Sequence, residues 1–314
     1  MSATTTFVAG GTGFIGRAVV SELHAAGDRV QVLARSDDSA RAVRALGAEP
    51  VAGDLSAPGA WQEQVRAADR VVHAAQPSTF GSRLTPRAAR RYQAERLAQD
   101  DALLDAVAPG ARVVYISGNS YFGETGPGAK RDESMKPNPT GFGPYVTEAV
   151  EAVRLRIEEG LDAVIAFPGA VYGDGAWLKQ YALDPLRSGK PVGELAGPSH
   201  ATSPVAVTDV GRAVAFLAAQ PATSFEATGR LLFVVDDEPV TFHQINELAA
   251  QALGVQARYR AVPAPLMRLF AGQIGYEYLA TDALYANARL TSLGFRFEHP
   301  TVREGLPALL SATA

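Results

Sequence analysis

The sequence predicts an α/β protein, a doubly wound parallel sheet with helices on both faces and a smaller substrate-binding lobe at the C-terminal end. Three observations predict it. Short apolar runs alternate with helical patterns as far as Pro168, the order that builds a parallel sheet from βαβ units. Glycines at 10, 13 and 16 stand between the first apolar run and the first helical pattern. Beyond Pro168 the rhythm breaks, and residues 173–203 are rich in Gly and Pro, which suits an irregular lobe.

Taken in order, Thr5 to Ala9 is the first strand and Ile15 to Ala26 a helix stopped by Gly27. Arg29 to Ala34 is the second strand, followed by a helix from Ser39 to Leu46. Glu49 to Ala52 is the third strand and Trp61 to Ala67 the next helix. Arg70 to Ala74 is the fourth strand, Arg87 to Ala108 a long helix, and Val113 to Ser117 the fifth strand. Pro144 to Glu159 reads as a helix and Ala163 to Phe167 as the sixth strand. Six strands in this rhythm form a Rossmann-type dinucleotide-binding fold. Val205 to Ala219 is a strand end and a helix returning to the sheet, Leu231 to Val235 a further strand, and Thr241 to Leu253 a helix that opens on Thr. From Ala264 onward the pattern mixes short helices and turns. The division expected is a dinucleotide-binding domain over 1–172, rejoined by 205–238, with 173–204 and 239–314 forming the substrate lobe.

Composition narrows the function. A chain of 314 residues can bury a large core. The net charge is -4 without a long basic run, so no footprint for nucleic acid or an anionic membrane is expected. The absence of cysteine removes disulfides, thiolate metal sites and cysteine nucleophiles. The acidic pair Glu158-Glu159 and the run Asp236-Asp237-Glu238 read as loop surface, since no metal-ligand spacing accompanies them. The start goes directly into a strand without a secretory pattern, and no apolar run approaches the ~20 residues of a membrane helix. A cytoplasmic location, no membrane partner and a small-molecule substrate are the expectations.

The glycine triplet sits in Gly10-Gly11-Thr12-Gly13-Phe14-Ile15-Gly16. In a strand-turn-helix context, backbone approaches a pyrophosphate closely here, and the helix N-terminus supplies free N–H groups and partial positive charge. At the end of the second strand, where an acidic residue would hold the ribose of NAD, stand Ala34-Arg35-Ser36. Arg35 can pair with a 2'-phosphate and Ser36 can add a hydrogen bond, so NADP(H) is preferred to NAD(H), with Arg17 as a second cation. Asp54 and Leu55 follow the third strand where adenine would lie. His73, Ala74 and Ala75 end the fourth strand on the nicotinamide side, with His73 read as a packed strand-end histidine.

These segments resemble the extended and atypical short-chain dehydrogenase/reductases, the group of NAD-dependent epimerases, dehydratases and dihydroflavonol-type reductases. The resemblance rests on GGTGFIG, Gly53-Asp54-Leu55, VVHAA at 71–75, VVYIS leading to Tyr121-Phe122-Gly123, Phe167-Pro168-Gly169-Ala170-Val171-Tyr172-Gly173 and Val207-Thr208-Asp209-Val210. It implies a cofactor contact at Pro168 and Val171, and catalysis by a Tyr, a Lys four residues on and a Ser or Thr. Here Tyr145 is kept, the lysine position is Ala149, and the hydroxyl position falls on Gly118, so Ser117 or Ser120 would substitute. Phe167 replaces the arginine common before the Pro-Gly pair. Arginine far outnumbers the four lysines, so compositional drift would have put Arg, not Ala, at 149.

With no cation beside it, Tyr145 is expected to donate a proton in carbonyl reduction rather than act as a base in alcohol oxidation. Glu148 reads as a solvated glutamate and not a replacement base. Gln76, Asn119, Tyr172, Trp177, Tyr181 and His200 are candidates to line the substrate pocket. The leading expectation is an NADP(H)-dependent reductase of a small oxygenated metabolite. The alternatives are a dehydratase, isomerase or cyclase on the same fold, or a non-catalytic NADP(H)-sensing regulator. The resemblance also implies a homodimer joined through the helices at 87–108 and 144–159.

Overall fold

A computed structural model of the protein describes residues 3–77 and 85–311. The first half alternates as expected: β1 (Thr5–Ala9), α1 (Phe14–Ala25), β2 (Arg29–Ala34), α2 (Asp37–Ala45), β3 (Glu49–Ala52), α3 (Trp61–Ala67), β4 (Arg70–His73), α4 (Pro86–Leu104), β5 (Arg112–Ile116), α5 (Thr147–Glu158) and β6 (Ala163–Pro168). The second half adds β7 (Ala170–Tyr172), α6 (Ala176–Leu178), α7 (Asp184–Arg187), β8 (Val192–Leu195), β9 (Ala201–Thr202), β10 (Pro204–Ala206), α8 (Val207–Ala219) and α9 (Phe225–Thr228). It closes with β11 (Leu231–Val234), β12 (Val240–Thr241), α10 (Phe242–Ala252), β13 (Tyr259–Val262), α11 (Ala264–Leu279), α12 (Ala288–Ser292) and α13 (Val302–Ser311).

Seven strands form one parallel sheet in the order β11-β6-β5-β4-β1-β2-β3. The strand order reverses between β1 and β4, and ligands of such sheets bind outside the carboxyl ends of the strands at this switch point. The strands are apolar on both faces because both are covered. One face packs on Trp61, Val65, Tyr92, Leu103 and Val150, the other on Val19, Val20 and Leu23 of α1 and Val210, Val214 and Leu217 of α8. Those six side chains are fully buried, each stabilising the fold by roughly 1.5–3 kcal/mol. The two-stranded pairs β7–β10, β9–β12 and β8–β13 stand outside this sheet, and α10 and α13 close a third core around Leu178, Ile245, Leu248 and Leu306. No helix among the described residues is long and apolar enough to cross a membrane.

Two boundaries differ in instructive ways. The long helix ends at Leu104, not Ala108; Ala106 and Val107 follow in tight turns to Leu103 and Leu104 ahead of Pro109. The helix expected from Pro144 is split: Gly143–Tyr145 is a 3-10 turn, and α5 begins only at Thr147. The N–H groups of Tyr145 and Val146 reach back three residues, to Phe142 and Gly143, and Gly143 is wedged against the carbonyl of Ser120, which fixes the turn before the helix can start.

Asp236, expected on a loop surface, is buried at 1% exposure beside Tyr172, because its N–H is tied to the Pro204 carbonyl at 2.7 Å directly off β11. Burial, reinforced by the neighbouring Asp209, pushes its carboxyl up to about 8. The folded state thus keeps a proton that the unfolded chain loses near 3.8, so stability falls as pH rises from that value through about 8. Melting temperature is expected to drop by roughly 5 °C or more between pH 6 and pH 9. Asp236→Asn should flatten that slope, which thermal scans across pH will read.

Candidate active site

Every strand of the parallel sheet delivers its C-terminal end to one edge, so Gly10, Arg35, Asp54, Ala74-Ala75, Ser117 and Pro168 are gathered there by topology alone. Gly10 has φ +86, and a Cβ on it would lie 2.4 Å from the backbone nitrogen of Ala75. A Cβ on Gly16 would lie 2.0 Å from the Gly10 carbonyl oxygen. The turn therefore depends on both glycines to bring β1, β4 and α1 together. Gly13 is the exposed N-cap of α1, and no side chain caps this helix. Its first N–H groups are left for an anion. Thr12 and Ile15 flank this turn, and Phe14 packs its ring against Gly173 and Gly175, drawing the chain beyond β7 over the same cradle. The uncapped helix end and the glycine turn fit the pyrophosphate of a dinucleotide.

At the outer end, Arg35 is exposed at the tip of β2, and Gly53 hydrogen-bonds back to Ala34, so Asp54 lies alongside. Asp54 accepts hydrogen bonds from the Ser56 N–H (2.8 Å) and hydroxyl (2.7 Å), which hold its carboxyl below the usual range with a smaller contribution from Arg35. Leu55 is buried behind it. The Ser36 hydroxyl, expected on the phosphate, instead caps α2, accepting from the Ser39 N–H at 3.2 Å in a reciprocal capping box. Arg17 is occupied locally, reaching the Thr12 carbonyl at 3.4 Å. Arg35 remains exposed at this end of the sheet.

The positions expected to be catalytic come together through two 3-10 turns. Asn119–Tyr121, with Ser120 at its centre, packs directly on Gly143–Tyr145. Gly118 is extended, and the Ser120 Oγ lies 3.2 Å from where a Gly118 Cβ would be. Ser120 is thus the hydroxyl-bearing side chain next to the position where Gly118 has none. Ser117 is buried at the end of β5 with its N–H on the Ala166 carbonyl. Ala149 is 2% exposed, while Glu148 is exposed and accepts from Gln93 Nε2 at 2.5 Å.

Beneath the edge lies a charged group that sequence reading missed. Arg96 and Asp100 of α4 are buried and paired at 2.7 Å. Asp100 also accepts the Tyr115 hydroxyl proton at 2.6 Å and sits 2.7 Å from His73 Nε2. Arg96 donates to the Ala75 carbonyl at 2.8 Å, pinning the end of β4. Burial and the Arg96 charge push the His73 imidazole down against the opposing pull of Asp100. Burial alone would raise Asp100, but Arg96 and His73 overcome it and hold the carboxyl low. The signal was present: Tyr92, Arg96, Asp100 and Leu103 fall on one helical stripe, and a charged i,i+4 pair inside an apolar stripe marks a buried ion pair.

The six pocket candidates divide. Gln76 is exposed and accepts a short hydrogen bond from the Tyr92 hydroxyl. Asn119 is buried, and its Nδ2 has no hydrogen-bond partner among the described residues, the one candidate that holds an unused donor beside the two turns. Trp177 donates to the Val171 carbonyl at 2.8 Å and packs edge-on to Phe242, itself 6.0 Å from Tyr278. His200 pairs with Asp282 at 3.4 Å. Tyr172 is not a pocket surface: it is fully buried against α13, with its hydroxyl directed at the Thr301 carbonyl. Tyr181 is 60% exposed on the π-helical turn before α7. Among the described residues no three His, Asp or Glu side chains are placed to hold a metal ion.

Comparison with known proteins agrees with this frame. Residues 6–227 match the profile of the NAD dependent epimerase/dehydratase family. A 4-hydroxy-2-methyl-3-oxo-4-farnesyl-3,4-dihydroquinoline-1-oxide ketoreductase from Stigmatella aurantiaca is 29% identical over 266 residues, covering 82% of this chain and 76% of the relative. Among solved structures, the human epimerase family protein SDR39U1 with NADPH superposes with a TM-score of 0.76 at 20% identity, over 98% of this chain and 99% of that one. The Thermus thermophilus UDP-glucose 4-epimerase in complex with NAD gives 0.77 at 20% identity, over 98% of each chain.

Proposed function

The chain belongs to the NAD dependent epimerase/dehydratase family, an NAD(P)-dependent group of oxidoreductase type, and from that premise we propose that it is an NADP(H)-dependent reductase of a ketone in a small oxygenated metabolite. The observation that carries this reading is the packing of the Ser120 turn on the Tyr145 turn at the sheet edge, which makes Ser120 our candidate for the hydroxyl absent at Gly118. The ketoreductase relative supports the same direction of chemistry.

In this reading the cofactor half comprises 1–172 with 205–238, and 173–204 with 239–314 forms the substrate lobe. The reduced nicotinamide, when bound, supplies the hydride. The glycine turn and the uncapped end of α1 hold the pyrophosphate, and Arg35 pairs with the 2'-phosphate. Pro168, Val171 and Ala74-Ala75 would hold the nicotinamide side of the cofactor, with the end of β4 pinned by Arg96. Ser120 donates a hydrogen bond to the ketone oxygen, and Asn119 Nδ2 is available to a second polar atom of the substrate. Tyr145 delivers the proton to the oxygen as the alcohol forms. A phenol without a neighbouring lysine is suited to this role and ill suited to the reverse reaction.

The test is NADPH consumption over a panel of ketones, set beside a search for dehydrated or rearranged products. One NADPH oxidised per alcohol formed is the expected result. Product formed without NADPH consumption would replace the reductase with a dehydratase, isomerase or cyclase, and cofactor binding with no turnover on any compound would favour a sensing role. On an accepted ketone, Ser120→Ala should lower kcat/KM by about 10–100-fold, the loss of one strong hydrogen bond. Ser117→Ala should stay within about threefold, and the opposite ranking would move the assignment to Ser117.

A further inference from the structure

The first part of α11 is built inside out. Leu266, Leu269 and Phe270 share one face by their i, i+3, i+4 spacing, and they are 39, 55 and 66% exposed. The half-buried positions of the same stretch are Ala264, Met267 and Ala271, on the other side. Gly272, at φ 77 and ψ 170, then breaks the helix. Residues 264–271 thus stand as a separate apolar ridge pointing away from the body. Past the break the helix returns to it: Ile274 is buried, and Glu277 accepts the Gly141 N–H at 3.1 Å.

The stretch of chain that carries the ridge holds charge of one sign. From residue 248 to 276 the sequence holds Arg258, Arg260 and Arg268 and no Asp or Glu, and all three arginines are exposed. Arg258 donates to the Gly189 carbonyl and Arg268 lies 4.1 Å over the Tyr276 ring, so neither is neutralised by a carboxylate in those contacts. Of the acidic groups nearest this stretch, Glu194 and Glu247 face His243, and Glu277 is engaged by the Gly141 N–H and Gln273.

We propose that the 264–271 ridge with Arg258, Arg260 and Arg268 is a docking surface for an anionic lipid bilayer, the three large apolar side chains entering the interface and the guanidiniums meeting the headgroups. A second copy of this chain is a poor fit. A two-fold contact would set the arginines against their own images, and an eight-residue ridge is far from the roughly 800 Å² per partner of a stable dimer. The expectation of no membrane partner considered basic runs and spanning segments only, and a surface helix needs neither. Because α11 continues to Glu277, which holds the residue two before the Tyr145 turn, a docked ridge would place the active-site lobe at the lipid surface.

The test is flotation of the full chain with vesicles of phosphatidylcholine containing about 30% phosphatidylglycerol, beside pure phosphatidylcholine vesicles. The bound fraction should be on the order of tenfold higher on the anionic vesicles and fall with salt. Both Leu269→Gln/Phe270→Gln and Arg258→Gln/Arg260→Gln/Arg268→Gln should abolish flotation while leaving the circular dichroism spectrum unchanged. No flotation of the wild-type chain, equal flotation on neutral vesicles, or flotation that survives the Leu269/Phe270 change would each overturn the proposal. A wild-type dimer that the Leu269/Phe270 change converts to monomer, without vesicle binding, would overturn it in favour of self-association.

Discussion

Tyr145→Phe is expected to lower turnover of an accepted ketone by about 10²–10⁴-fold, the range for loss of a positioned general acid, while NADPH affinity changes by less than about twofold. The turn that holds Tyr145 is set by Gly143 against Ser120 and by the i,i+3 bonds of Tyr145 and Val146. Its backbone geometry does not depend on the phenol oxygen, so the variant removes one proton donor and little else. Steady-state rates and a binding titration on the same preparation separate the two effects. Full activity in the phenylalanine variant would show that another group or water protonates the product. Because Ala149 supplies no cation, the wild-type enzyme should also oxidise the product alcohol more slowly than it reduces the ketone.

Arg35→Ala should weaken NADPH binding by roughly 10–100-fold, the worth of charge-assisted hydrogen bonds to a phosphate, and leave NADH binding within about twofold. Arg35 stands exposed at the end of β2, and the Ser36 hydroxyl is engaged as the cap of α2, so little else can take over the phosphate. The acidic Asp37 and Asp38 in the first turn of α2 would then repel a 2'-phosphate. Fluorescence titrations with both cofactors will show whether the preference collapses. Since the site is open to solvent, the NADPH advantage of the wild-type chain should shrink with added salt. An unchanged preference in the variant would remove Arg35 from the account.

The sheet was legible in the sequence because buried parallel strands leave a plain trace. β2 and β3 begin and end where the apolar runs do, and the glycine turn sits between β1 and α1. Boundaries failed where tertiary packing overrode local preference, as when Ser120 pressed on Gly143 and split the helix expected from Pro144. Of the candidate site, the cofactor edge follows from strand ends, which topology places without further information. The nearness of Ser120 to Gly118 does not, since it depends on a 3-10 turn that no periodicity announces. Tyr172 and Asp236 were misread because tertiary packing buries both: Tyr172 ends β7 in the β7–β10 pair against α13, and Asp236, just past β11, is tied to Pro204. The Arg96–Asp100 pair was readable from its helical stripe, though its role of pinning β4 required the structure.

The central claim is that hydride passes from NADPH to a ketone held by Ser120 and Tyr145, and 4-deuterated NADPH tests it most directly. Incubated with the purified protein and an accepted ketone, the labelled cofactor is expected to place one deuterium on the carbinol carbon of the product, and the Tyr145→Phe variant should transfer it far more slowly. A product that forms at the same rate with no deuterium, while the cofactor keeps its label, would contradict the account and leave the nucleotide as a structural ligand of a non-redox enzyme.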